Sequence, residues 1–148
     1  MTAEQLVAVA RSHGSDAADA RDAAHEACHV VQWGVRGKWT RENIHRRAPR
    51  VRGYGVADEI AARAVEALIC QRLGIEYDLK KWTMVCWMEQ LKNERISLPT
   101  GSWLEDRIRE QMGKPATARL VEKVLALQVK RPRRKMLEST RAEPEGKR

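Results

Sequence analysis

Apolar residues recur along most of this chain at spacings of three and four, the repeat of helices that bury one face. Thr2-Ala3-Glu4-Gln5 has the spacing of a capping box, predicting a short helix that reaches about Arg11 before His13-Gly14-Ser15 breaks it. Ser15 or Asp16 is placed to cap a second, alanine-rich helix that runs to about Trp33 and stops near Gly34 and Gly37. Thr40 is placed to cap a short helix carrying Glu42, Ile44 and His45. Pro49 ends it, and residues 50–55 read as a glycine-bearing loop.

Asp58 is expected to open the next helix. Its apolar stripe is Ala61, Val65, Leu68, Ile69 and Leu73, its polar stripe is Glu59, Arg63 and Glu66, and Gly74 is the stop. Asp78 caps a longer helix to about Ile96, in which Trp82 to Met88 is apolar almost all round and is expected at the centre of the core. Core packing is the reading for those tryptophans, ahead of a ligand pocket. Ser102-Trp103-Leu104-Glu105 has capping-box spacing and opens a helix ending at Gly113. Pro115 starts a last helix with Leu120, Val121, Val124, Leu125 and Leu127 along one side. No alternating pattern of a strand and no internal repeat stands out. The expected fold is mostly all-α: a compact helical domain of about six helices over residues 1–130, with a basic, disordered tail over 131–148.

The second helix carries His25-Glu26-Ala27-Cys28-His29, an HExxH pentad. Residues four apart on a helix lie on one face, so His25 and His29 can grip one metal ion. Glu26, one residue round, can take a proton from metal-bound water and later pass it to a leaving group. The plain alternative is two helical histidines beside a surface glutamate. The flanking Ala23-Ala24 and Val30-Val31, the mark of a buried helix, weigh against it.

Composition narrows the setting. A chain of 148 residues can bury a core without staples. Cys28, Cys70 and Cys86 are odd in number and form no CxxC pair, so neither a disulfide framework nor a cysteine zinc site is indicated, and their apolar neighbours point to buried thiols in a reducing compartment. The N-terminus lacks the pattern of a signal peptide, and no apolar run approaches a membrane span. A soluble cytoplasmic protein with no membrane partner is expected. The net charge of +8 is concentrated in two blocks. Arg36 to Arg52 holds seven basic residues against Glu42, and Lys130 to Arg148 holds eight against three acidic ones. Such clusters attract nucleic acid or acidic protein surfaces.

Two histidines need a third ligand to make a catalytic zinc site. Glu59, at the start of a helix beginning about 30 residues after His29, meets that need. Glu66 shares its stripe but lies two turns along, roughly 10 Å away, so both cannot bind one ion. His45 is the other candidate. An HExxH helix followed by a second helix with an early Glu and small residues, here Glu59-Ile60-Ala61-Ala62-Arg63, resembles gluzincin-type metallopeptidases, most of all the small ImmA/IrrE-like proteins of phages and mobile elements. The likeness covers about residues 20–73. It implies a Zn2+-dependent peptidase acting on a protein or peptide substrate, with His25, His29 and Glu59 as metal ligands and Glu26 as general base.

There are departures from that pattern. Zincins usually place a substrate-binding strand before the HExxH helix, whereas the upstream residues here read as helical. His-Glu-Ala-Cys-His followed by Val30-Val31-Gln32-Trp33 is also similar to SprT/Spartan-like proteases, whose third ligand is a histidine. His45, the counterpart, lacks the glycine that usually follows, and Glu59 is preferred. Val35 at the metzincin third-histidine position excludes that pattern. Tyr54, Arg52 and His45 are open choices for stabilising an oxyanion. The rival class is a non-enzymatic helical protein binding nucleic acid through Arg46, Arg47, Arg50, Arg52 and the tail, with a structural or accidental HExxH.

Overall fold

A computed structural model describes residues 1–34, 56–93 and 98–131. Among the described residues all regular structure is helical: α1 (Ala3–Ser12), α2 (Ala20–Gly34), α3 (Val56–Leu73), α4 (Leu79–Asn93), α5 (Gly101–Met112) and α6 (Pro115–Leu125). No helix among them is long and apolar enough to cross a membrane. The expected short helix after Thr40, the loop over 50–55, His45, Arg52, Tyr54, the basic segment Arg36–Arg52 and nearly all of the tail lie outside the described residues.

Several ends are set by local chemistry. Thr2 and Gln5 exchange both hydrogen bonds of a capping box. The Asp78 carboxylate accepts from the Lys81 N–H at 3.1 Å, and Pro115 stands in the first turn of α6. Gly74 has φ +70°, and the Ile75 N–H reaches back to the Cys70 carbonyl at 2.8 Å, the closure of a left-handed helix end.

Other ends differ from expectation. The α2 helix starts at Ala20, with the Asp19 carboxylate accepting from the Asp22 N–H at 2.8 Å. Ser15 instead accepts from the Ala17 N–H, and Arg11 donates to the Ala17 carbonyl, so this segment is a pinned turn. The α3 helix opens at Val56, ahead of Asp58. Thr100, not Ser102, has the extended backbone of an N-cap, and its hydroxyl accepts from the Trp103 N–H at 3.0 Å.

The centre of the molecule is α3. Its buried residues (Glu59, Ala62, Arg63, Ala64, Val65, Glu66, Ala67, Ile69 and Cys70) fall on all sides, so both of its stripes face inward. Alanines let neighbouring helices approach closely from several directions. On one side, Ala62, Val65 and Ile69 join Leu6 and Ala10 of α1, Ala23, Ala24, Ala27 and Cys28 of α2, and Val121 and Val124 of α6. On the other, Ala64 packs with Cys86 of α4 and with Leu104 and Ile108 of α5. All three cysteines are buried free thiols.

The expectation for Trp82–Met88 is corrected here. Among the described side chains of α4, Thr83, Cys86 and Gln90 are the buried ones, three and four residues apart, whereas Met84 is 45% and Met88 60% exposed. Length and periodicity do not separate a central helix from a peripheral one whose apolar side chains spill onto the surface. Replacing Met88 by Gln should therefore change stability by no more than about 0.5 kcal/mol. Ile108→Ala, which opens a cavity beneath α3, should cost about 2–5 kcal/mol. Urea denaturation of the two variants checks this ordering; a cost for Met88→Gln equal to that of Ile108→Ala would contradict it.

Candidate metal centre

The site is built where α2 crosses the start of α3. A turn of helix separates His25 from His29, and their rings meet edge to face with centroids 4.8 Å apart. Both are buried, as is Glu59 opposite them. The His25 Nε2 lies 3.2 Å from Glu59 Oε2, the His29 Nε2 lies 2.8 Å from Glu59 Oε1, and the two Nε2 atoms are 3.2 Å apart. These three residues form a group able to hold a metal ion, the potential ligand atoms all lying within 4.8 Å of one another.

The far side of each ring determines what the near side can do. The His25 Nδ1 is 2.9 Å from a Glu66 oxygen, and a carboxylate can only accept, so Nδ1 carries the hydrogen. The His29 Nδ1 is 2.7 Å from Gln32 Oε1. The Gln32 amide is oriented by donating from Nε2 to the Asp58 carbonyl at 3.2 Å, which leaves Oε1 to accept, and His29 Nδ1 also carries its hydrogen. In the neutral imidazoles both Nε2 lone pairs then point at each other and at the Glu59 carboxylate. Three electron-rich donors this close repel unless a cation lies among them.

A proton serves in the metal-free protein. Burial disfavours the His25 imidazolium, but the Glu59 charge and hydrogen bonds to Glu59 and Glu66 outweigh it and hold the His25 pKa up at about 10. Burial likewise opposes ionisation of Glu59, and the charges of His25 and His29 overcome it, holding its carboxyl well below the usual range. A metal cation would meet the same need. Donors held about 2.05 Å from a tetrahedral centre lie about 3.3 Å from one another; the two Nε2 atoms are 3.2 Å apart and Glu59 Oε1 is 2.8 Å from the His29 Nε2. The set of two imidazole nitrogens and one carboxylate is a known catalytic zinc combination.

Behind His25 lies a buried charge cluster that the sequence does not show. Glu66 is fully buried. Besides His25, its carboxylate meets Arg21 at 3.1 Å, Arg63 at 3.2 Å through each oxygen, and the Tyr77 hydroxyl at 2.5 Å. Trp82 covers the cluster, its ring 3.5 Å from the Arg21 guanidinium. Gln32 was overlooked too. The signal available was spacing, since Gln32 follows His29 by three residues and Arg21 precedes His25 by four, each on the histidine's own helix face. Glu26 is half-buried on α2, next in chain to His25. Compared with known protein families, curated proteins and solved structures, the chain matches none.

The pairing fixes a pH dependence for the metal-free protein. His25 is raised, so its contribution to stability is whole below its ordinary value of 6.5 and is lost as pH climbs towards 10. Glu59 is depressed, so its contribution is whole above its ordinary 4.5 and is lost as pH falls. Thermal unfolding in chelator should show maximal Tm between about pH 4.5 and 6.5, falling on both sides. A Tm rising steadily above pH 6.5 would contradict the His25–Glu59 pairing.

Proposed function

We propose that this chain is a zinc-dependent peptidase, with His25, His29 and Glu59 holding the metal and Glu26 acting as general base. The observation that carries the reading is the convergence of two Nε2 atoms and a carboxylate while both Nδ1 hydrogens are engaged elsewhere. Burial supports it as well, because uncompensated donors would be costly there. Bound zinc supplies Lewis-acid polarisation of a carbonyl and acidifies a coordinated water.

The chain's own residues do the rest. Gln32 and Glu66 hold the imidazoles in the Nε2-donor tautomer. Glu26, adjacent to His25 on the same helix and open to solvent on part of its surface, takes a proton from the attacking water and returns it to the departing amine. The order of an HExxH pentad followed by an early Glu on the next long helix supports the same assignment. The basic segment Arg36–Arg52 joins the end of α2 to the start of α3, and an acidic or nucleic-acid-bound protein is the substrate its charge favours.

Protein purified without chelator should contain close to one zinc per chain by elemental analysis. His25→Ala, His29→Ala and Glu59→Ala should each lose it. Glu26→Gln should keep the metal while proteolysis, followed by mass spectrometry of autocleavage and co-expressed proteins, drops by about 10²–10⁴-fold. Full metal content in either histidine variant, or unchanged cleavage by Glu26→Gln, would overturn the proposal. Iron in place of zinc would also overturn it, since two histidines and a carboxylate are equally the ligand set of non-haem iron oxygenases.

A further inference from the structure

Glu66 is buried more deeply than any of the three residues assigned to the metal, yet it faces away from their point of convergence. A carboxylate in such a place is costly unless every lone pair is used and the charge is balanced. Here both conditions hold. Oxygen Oε1 receives His25, Arg21 and Arg63, and Oε2 receives Arg63 and Tyr77. Arg63 spans onward to Glu89 at 3.2 Å, tying the group to α4. The donors come from three places in the chain: α2, α3 itself and the turn leading into α4.

A purely structural ion pair needs one arginine. This one has two arginines and a tyrosine, and it adds an imidazole whose opposite nitrogen is aimed at Glu59. On the metal-centre reading above, we propose that Glu66 is the positioning residue of that centre. It fixes His25 as an Nε2 donor and sets the ring's direction, while Arg21, Arg63 and Tyr77 hold Glu66 on the Nδ1 side and prevent it from turning to the metal as a competing ligand. The spacing Glu59–Glu66, two turns of one helix, puts one carboxylate in front of the imidazole and one behind it. Glu66 thus acts through His25 and touches no reacting atom.

Hydrogen-bond partners behind a metal-bound histidine typically change metal affinity 10–100-fold when removed. Zinc affinity would be measured by competition with a chromophoric chelator, alongside the visible absorption spectrum of the cobalt(II)-loaded full-length protein. Glu66→Gln should weaken zinc binding about 10–100-fold and shift the cobalt bands. Ile108→Ala, in the core beneath the other side of α3, should lower Tm while leaving zinc affinity and the cobalt spectrum as in wild type. Should Glu66→Gln fail to fold, the pair Glu66→Gln with Arg63→Met removes both buried charges together and carries the same expectation. Wild-type zinc affinity and an unmoved cobalt spectrum in a folded Glu66 variant would overturn the positioning role. A wild-type protein that binds neither metal would instead overturn the metal centre itself.

Discussion

Charge buried between α2 and α3 is the constraint on which the rest of the structure depends. Glu59 and Glu66 leave water on folding, and each must find donors or cations there. The α2 helix supplies Arg21, His25 and His29 from one face, and α3 supplies Arg63 beside the acids. Because the demand for pairing is directional, it fixes the rotation of α2 against α3 far more tightly than alanine packing alone would. The alanines at 23, 24, 27 and 62 then allow the close approach that the hydrogen bonds require.

The same arrangement explains why the site is polarised. Arg21, Arg63 and Tyr77 balance Glu66, leaving Glu59 as the carboxylate on the convergent side of the imidazoles. Glu66 and Gln32 occupy the Nδ1 atoms, which directs the Nε2 lone pairs inwards. Each of these contacts is ordinary in isolation. Together they leave a group whose electron pairs need a cation, and the peptidase proposal starts from that need.

How much of this was legible in the sequence follows from the range of each interaction. The Thr2–Gln5 box, the Asp78 cap, Gly74 and Pro115 act within a few residues, and the chain shows them directly. The HExxH spacing and an early acid on the next long helix were readable for the same reason, and the structure brings His25, His29 and Glu59 together. Burial direction was not local. Trp82 to Met88 is apolar almost all round, yet α3, smaller in its side chains, is the helix that neighbours can surround. In the sequence Glu66 reads only as a rival ligand, since its pairing with Tyr77, Arg21 and the back of His25 depends on how three segments meet.

X-ray absorption at the zinc edge of the metal-loaded protein tests the central claim most directly. The account predicts a shell of nitrogen and oxygen scatterers at about 2.0–2.1 Å, with the multiple scattering of two imidazoles and no sulfur. A zinc–sulfur distance of about 2.3 Å, or a shell carrying no imidazole signature, would contradict it.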